Sequence, residues 1–356
     1  MRGRSRWPWR RALVLCSLAA MLVSTGCRPD TTEPSAAEPS VTLSTTSPGL
    51  SAALSAQARY TDRLLTSQGV VGTGVGLTAA GRVAVKVFTR TPGVQGLPTS
   101  LDGVPTEILV TGEIRAMPAT REAADPGLVV FPDDRFPRPV PIGVSTGNEG
   151  TCSAGTIAAR VRSGNKVYAL SNNHIYALEN QAPLGSRVLQ PGRYDLNCAS
   201  GADAAMGSLT RFVPVVFSLT ASNVVDAAIA LTSTSLLERA TPIDGYGVPA
   251  ATPIAAVLGM EVQKYGKTTR LTTGRVDAIN ATVLVTYRTA TTRFVRQVLV
   301  AGRGPFCRAG DSGSLIVTTA GRRPVALLFA GTASGYTFAN PIGDVLAAFN
   351  VAIDGT

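Results

Sequence analysis

The chain has 356 residues, of which 45% are hydrophobic and 16% are charged, a composition typical of globular rather than disordered proteins. The formal net charge is +10, but five arginines within the first eleven residues carry half of it, and removal of residues 1–26 would leave +5. The remainder contains no dense Lys/Arg stripe interleaved with aromatic residues, so nucleic-acid binding is not expected. A length of this order fits one to three domains.

Residues 1–26 have the pattern of an export signal. A basic start is followed by the apolar run Ala12–Val23, which is too short to span a bilayer as a stable helix. The run continues into "STGC", ending at Cys27, and this resembles a bacterial lipobox, in which the cysteine becomes the lipidated N-terminus. Ser24 stands where leucine is usual, so ordinary cleavage nearby remains the alternative. We predict an exported protein of the cell envelope, either lipid-anchored to the membrane through Cys27 or free in the periplasm or medium.

The composition changes three more times along the chain. A Pro/Ser/Thr-rich stretch without hydrophobic period predicts a flexible tether, and a run at helical spacing followed by three β-rich runs predicts a small α/β domain. Four prolines in ten residues then mark a linker. Short β-rich runs with turn residues fill the rest. The predicted divisions are a tether at 27–49, an α/β domain at 50–116, a linker at 117–141 and a large β domain at 142–356.

The predicted elements support a barrel or sandwich architecture for the large domain. The α/β domain is expected to contain a helix at 50–68 and strands within 70–89 and 105–114. In the large domain we predict strands at 155–162, 166–171, 223–231, 282–288, 296–301, 314–319 and 324–331, and a closing amphipathic helix at 340–351. The basic, hydroxyl-rich stretch Lys264–Gly274 is expected to be a hairpin between strands, with a wall of a substrate cleft as the alternative.

The sequence "GDSGSLIV" at Gly310–Val317 has the form of a nucleophile in a tight turn before a buried strand. A serine nucleophile needs a nearby base, and a neutral imidazole is the side chain best matched to that task near neutral pH. His174, in "ALSNNHIY", is the one histidine of the chain. If Ser312 is a nucleophile, His174 is therefore its candidate base; otherwise the motif is an ordinary Gly/Ser turn.

The order of these residues discriminates between folds. An α/β-hydrolase needs a histidine after the serine, and none follows Ser312, whereas the chymotrypsin order is His, Asp, Ser. The best-placed acid between the two is Asp226, in "NVVDAAIAL", because a carboxylate inside an apolar strand is costly unless it is bonded, and an imidazole N–H is a suitable partner. Asp203 is the second candidate and Asp195 the third.

The motifs "LSNNH", "VVDAAIAL" and "GDSGSL", in this order, resemble those of trypsin-like, chymotrypsin-fold serine peptidases. The closer similarity is to a subgroup of bacterial exported proteins and plant Narrow Leaf type peptidases, and it covers most of residues 140–352. For the large domain, the resemblance implies a mostly β fold with two six-stranded-type β-barrels and a C-terminal helix; the small α/β domain predicted from the residue pattern precedes it. It also implies serine endopeptidase activity on polypeptide substrates.

The same resemblance implies a role for each matched residue. Ser312 would be the nucleophile, His174 the general base and acid, and Asp226 the group that orients the imidazole. The amides of Gly310 and Ser312 would form the oxyanion hole. Asp311 would pair with a local cation or with turn amides.

Two departures from the family pattern bear on specificity. Ser314 replaces the second glycine of the nucleophile motif, and Phe306 occupies the position of the acid that selects Arg or Lys in trypsin. Phe306 is therefore a candidate substrate-binding residue, and small or apolar substrate side chains are expected in place of basic ones.

After export and acylation, Cys152, Cys198 and Cys307 would remain, which allows at most one intramolecular disulfide. Sequence leaves the pairing open; Cys152 and Cys198 flank His174, and Cys307 as an alternative nucleophile lacks the turn motif. No metal or other cofactor is expected, because one histidine and three scattered cysteines offer no ligand cluster. A weakly active or inactive binding protein of the same fold is the alternative function, and a homo-oligomer stays open.

Overall fold

The computed structural model describes residues 48–119, 134–199 and 202–356. The predicted export signal, Cys27 and nearly all of the predicted tether lie outside the described residues. None of the helices in the described ranges is long and apolar enough to cross a membrane.

The described residues are mostly β. The helices are α1 (Pro48–Leu65), α2 (Asn173–Tyr176) and α3 (Ile342–Phe349), with short 3₁₀ turns at Arg193–Leu196 and Ala202–Ala204. The strands are β1 (Val70–Leu77), β2 (Val83–Thr89), β3 (Ser100–Leu101), β4 (Val104–Val110), β5 (Arg115–Ala116), β6 (Ser145–Asn148), β7 (Gly155–Thr156), β8 (Ala159–Ser163), β9 (Lys166–Ser171), β10 (Arg187–Leu189), β11 (Ala205–Phe212), β12 (Ala228–Thr232), β13 (Glu261–Gly266), β14 (Arg270–Thr286), β15 (Thr291–Gly302), β16 (Leu315–Thr318), β17 (Pro324–Gly331), β18 (Thr337–Pro341) and β19 (Ala352–Ile353).

The strands form two sheets. One runs β19-β8-β9-β12-β11-β10-β6-β7. In the other, the order β13-β16-β17-β18-β15-β14 closes on itself, because β13 pairs with both β16 and β14. We call these the first sheet and the ring sheet. The predicted mostly β fold with a C-terminal helix is confirmed, and the two expected six-stranded-type barrels are two curled sheets, of which the ring sheet closes on itself.

The strands of the ring sheet extend further than the sequence indicated. β14 and β15 form one long hairpin with three register shifts, whereas the apolar pattern predicted only 282–288 and 296–301. The first half of β14 contains Gly274 and Asp277, and Asn280 follows; these residue types are poor strand formers by themselves. It is a strand because β13 pairs with it on one side and β15 on the other.

The N-terminal strands continue the ring sheet. β1 pairs antiparallel with β14, and a β-carbon on Gly72 would lie 2.6 Å from the Thr282 carbonyl oxygen, so glycine permits this close approach. On β2, Phe88 packs edge-to-face against Phe338 of β18, with ring centroids 5.7 Å apart. Residues 48–110 thus share a sheet and an apolar cluster with the ring sheet, and the division of the chain at 116 and 141 stays a prediction.

The two sheets meet through a shared apolar core. Leu170 and Ile229 of the first sheet pack in one cluster with Leu315 and Leu327 of the ring sheet and with Phe349 of α3. α2 follows β9 of the first sheet, and the turn containing the predicted nucleophile precedes β16 of the ring sheet. The candidate site therefore lies where the sheets adjoin.

We predict that the N-terminal strands unfold together with the ring sheet. Phe88→Ala removes a fully buried ring from their common cluster and should lower the free energy of unfolding by about 3–5 kcal/mol. Urea unfolding monitored by circular dichroism and by tyrosine fluorescence should shift to a lower midpoint by both probes. Ile108→Ala, at a half-exposed position of β4, is the control and should cost about 0.5 kcal/mol or less. Two separate transitions in Phe88→Ala would contradict a shared unit.

Candidate active site

His174 and Asp226 form a buried pair. α2 begins directly beyond β9, and its second residue, His174, lies with Nδ1 2.6 Å from Oδ2 of Asp226. The backbone N–H of His174 donates to Oδ1 of the same carboxylate at 3.2 Å. Both side chains are almost completely buried. With Nδ1–H donating to the carboxylate, the neutral ring presents the lone pair of Nε2, the arrangement that a general base requires.

Three further residues fix Asp226. Tyr287 donates its hydroxyl to Oδ2 at 2.7 Å, and the Asp226 amide donates to the side-chain oxygen of Asn340 at 3.0 Å. Asn172 donates its side-chain amide to the Asp226 carbonyl at 2.8 Å. Burial, reinforced by the charge of Asp226, raises the pKa of Tyr287 well above its ordinary value, so the hydroxyl keeps its proton. Asn172 lies in the quoted motif "LSNNH", but the sequence assigned a role to none of the three, because each acts on a residue distant in the chain.

Asp226 lies before its strand and not within it. The apolar pattern predicted a strand over 223–231, whereas β12 begins at Ala228. This expectation was wrong because the Asp226 amide bonds to a side chain of β18 in place of a neighbouring strand. Outside the strand, the direction of the Asp226 side chain is not set by the alternation of side chains between the two faces of the sheet, and its carboxylate contacts the imidazole.

The two other candidate acids lie elsewhere. Asp195 is buried against Nζ of Lys267 at 3.0 Å and accepts a hydrogen bond from Ser145. Burial raises the pKa of Asp195, and the attraction of Lys267 opposes that shift. Asp203 is exposed. His174 therefore pairs with Asp226 alone among the three.

The predicted nucleophile lies in a tight turn. Gly310 and Gly313 have φ angles of +97° and +95°, and a β-carbon at either would collide with neighbouring backbone or hydroxyl atoms. Ser312 is fully buried, and its Oγ donates to the carbonyl of Phe329 at 3.3 Å. Nε2 of His174 is buried without a hydrogen-bond partner. The hydrogen bond between serine and histidine is thus not made in this arrangement.

Asp311 ties the turn to the β13–β14 hairpin. Its buried carboxylate accepts hydrogen bonds from the amides of Thr268, Thr269 and Arg308 and from the Thr269 hydroxyl, and lies 3.6 Å from Nζ of Lys264. Burial lowers the pKa of Lys264, and the carboxylate of Asp311 opposes this shift. The predicted hairpin at Lys264–Gly274 is confirmed, and it supplies the cation and two of the three amides that hold Asp311.

A short segment of the chain crosses this turn. Arg115–Ala116, which form β5, pair antiparallel with the end of β17. The amide of Gly310 donates to the carbonyl of Met117 at 2.8 Å. Ala119 exchanges two backbone hydrogen bonds, at 2.8 and 3.1 Å, with Ala154, which directly precedes β7 of the first sheet. The end of the predicted α/β domain therefore pairs with the ring sheet, and the start of the predicted linker contacts the chain next to the first sheet.

Phe306 belongs to the apolar cluster against which this segment packs. It is fully buried in an apolar cluster with Cys307 and Leu328, against which the partly buried Met117 packs. Nζ of Lys264 lies 5.8 Å from the ring centroid.

The structure decides the cysteine pairing that the sequence left open: Cys152 and Cys198 form a disulfide, and Cys307 is a free, buried thiol.

No protein-family model matches this chain, and no curated protein matches it. Among solved structures, it is similar to protease A of Thermobifida fusca, with 19% identity over 61% of this chain and 100% of that one, at a TM-score of 0.43. A serine protease described as specific for glutamic acid has 20% identity over 60% of this chain and 100% of its own, at 0.43. A Cellulomonas bogoriensis chymotrypsin has 21% identity over 61% and 99%, at 0.42. These values do not establish a family.

We predict that Cys307 is unreactive in the folded protein. Burial raises the pKa of its thiol to about 12, and the Thr337 hydroxyl donates to Sγ at 2.9 Å. At about pH 8 the thiolate fraction is therefore on the order of 10⁻⁴. Peptide mapping after iodoacetamide treatment should find Cys307 unmodified in the native protein and alkylated in guanidinium chloride. Rapid alkylation of the native protein would contradict this assignment and revive Cys307 as a nucleophile.

Proposed function

We propose that this protein is a serine endopeptidase in which Ser312 is the nucleophile, His174 the general base and acid, and Asp226 the group that orients the imidazole. The observation that carries the proposal is the buried hydrogen bond of 2.6 Å between Nδ1 of His174 and Oδ2 of Asp226. A buried carboxylate is costly unless it is bonded, and this one holds an imidazole with its other nitrogen unpartnered. That is the arrangement needed to accept a proton from a serine.

The reaction begins with rotation of the Ser312 hydroxyl from the Phe329 carbonyl toward Nε2 of His174. Oγ attacks the carbonyl carbon of the peptide bond while its proton passes to Nε2. Asp226 accepts from Nδ1–H and stabilises the imidazolium that forms. The tetrahedral intermediate collapses by breaking the C–N bond, and the proton on Nε2 goes to the leaving amine. Water then hydrolyses the acyl-serine by the same proton route in reverse.

The amides of Gly310 and Ser312 are the proposed oxyanion donors. Gly310 has a positive φ, and its N–H already donates to a peptide carbonyl, that of Met117. A donor of this kind contributes about 3 kcal/mol to stabilising the transition state. The contact supports the proposal, because it is the interaction that a substrate carbonyl would make.

A binding or scaffold function without activity is the second candidate. It is favoured by one observation: Ser312 is fully buried and bonded to Phe329 rather than to His174. The two candidates differ in whether Ser312 can become a nucleophile at all.

The test is labelling with an excess of a fluorophosphonate, which reacts only with an activated serine. We expect slow labelling of the wild type, because Ser312 is buried, with the adduct mapped to Ser312. Ser312→Ala should not be labelled, and His174→Ala should be labelled at least about 10³-fold more slowly. Ser235→Ala, at an exposed serine, should be labelled like the wild type.

Two results would reject the enzyme. One is an adduct on other residues with Ser312 unmodified. The other is no labelling of folded protein, either in the wild type or in the Met117 variants described below.

Export and lipid anchoring at Cys27 are part of the proposal and rest on the sequence. In a bacterial host that processes lipoproteins, the mature protein should begin at Cys27 and incorporate labelled palmitate. The Cys27→Ser variant should lose the label and leave the membrane fraction. A mature N-terminus at another residue would support ordinary signal cleavage instead.

A further inference from the structure

Residues 115–119 make backbone contacts to the two sides of the turn that contains Ser312. On the ring-sheet side, Arg115 and Ala116 pair antiparallel with Gly331 and Ala330 of β17. On the first-sheet side, Ala119 pairs antiparallel with Ala154. An extended peptide bound as an added strand is a common mode of sequence-tolerant recognition, because the backbone supplies the hydrogen bonds.

The carbonyl of Met117 lies between these two pairings. It accepts a hydrogen bond of 2.8 Å from the amide of Gly310, the proposed oxyanion donor. In the proposed enzyme, the carbonyl that accepts from this amide belongs to the residue before the bond that is cleaved. The bond thus presented to Ser312 joins Met117 to Pro118.

The Met117 side chain defines the pocket for that residue. It packs against the apolar cluster of Phe306, Cys307 and Leu328. A β-carbon on Gly331 would collide with the methyl group of Met117 and with Sγ of Cys307, so the glycine leaves space for this side chain.

The charged groups near this pocket, Lys264 and Asp311, already have partners within the protein. Lys264 donates to the Thr269 hydroxyl and the Arg270 carbonyl and lies 3.6 Å from Asp311. The pocket therefore favours an unbranched apolar side chain over a charged one.

We propose that residues 115–119 occupy the peptide cleft of this enzyme as a substrate-like strand that inhibits it, and that the substrates are extended polypeptides with a methionine-like residue before the cleaved bond. This inference rests on the proposed function. Ser312 is fully buried in this arrangement. Because the segment and a substrate would use the same backbone partners, a substrate can bind only after the segment leaves.

Two features keep the segment from being cleaved. The residue after the presented bond is Pro118, whose ring nitrogen has no N–H and whose ring is bulky on the leaving side. The Ser312 hydroxyl donates to Phe329 and not to His174, so it is not activated in this arrangement. Because the segment is part of the same chain, its effective concentration at the cleft is high.

The experiment compares fluorophosphonate labelling rates of the wild type with two variants. Met117→Asp places a carboxylate in the apolar pocket, and Met117→Gly removes the side chain that fills it. Both should label Ser312 at least about 10-fold faster than the wild type, since the bound segment is weakened. Val110→Asp makes the same type of change at an exposed position of β4 and should label at the wild-type rate. Circular dichroism of each variant checks the fold, and Met117→Gly serves if the charged variant does not fold.

A synthetic peptide with the sequence of residues 114–119 should slow the labelling of Met117→Asp, and the same peptide with Asp for Met should not. Met117→Asp and Met117→Gly, in which the bound segment is weakened, should cleave fluorogenic peptides with Met or Leu before the scissile bond at least about 10-fold faster than peptides with Arg or Glu at that position. A preference for Arg or Glu would overturn the assigned substrate class.

Labelling of the wild type and both folded variants at one rate would overturn the inhibitory segment and leave the proposed peptidase standing. Absence of labelling in all folded samples would reject the peptidase, and with it the inference.

Discussion

The buried contact between His174 and Asp226 is the constraint on which the site depends. A desolvated carboxylate is tolerated only with several donors, and Asp226 receives the imidazole N–H, a backbone N–H and the Tyr287 hydroxyl. His174, on α2, follows β9 and Asp226 precedes β12, and both of these strands belong to the first sheet. Tyr287 follows β14, and Asn340 on β18 holds the Asp226 amide, so the ring sheet supplies the supports. Asp226 therefore receives all of these hydrogen bonds only when the two sheets are packed together.

The turn that contains Ser312 also depends on contacts with both sheets. Thr156 of β7 donates its amide to the Ser312 carbonyl and its hydroxyl to the Gly310 carbonyl, which joins the turn to the first sheet. Asp311 joins it to the β13–β14 hairpin through turn amides and Lys264. Because contacts between the two sheets hold both Asp226 and the turn of Ser312, displacement of one sheet would disturb the aspartate, the histidine and the serine together. Segment 115–119 bridges this same junction.

Sequence patterns anticipated the classes of element better than their limits. The turn residues and apolar alternation predicted β17 and β9 closely, because these strands are marked by their own residues. The strand predicted over 155–162 is divided into β7 and β8, which pair with different neighbours. The patterns missed the full length of β14, whose polar first half is a strand only through its neighbours. They also placed Asp226 inside a strand, since the apolar run around it continues across the point where β12 begins. Tyr287 and Asn340 had no local signal, because each matters only through a residue far away in the chain.

The sequence by itself determined the chemical repertoire: one histidine, one Gly-Asp-Ser-Gly turn with glycines where positive φ is needed, and an apolar residue at position 306. These are properties of residue type and local backbone geometry. Only the tertiary structure decided which of three aspartates meets His174, which cysteines pair, and that Met117 contacts Gly310. Each of those outcomes is a contact between residues distant in the chain, and such contacts are set by how the two sheets pack rather than by any local pattern.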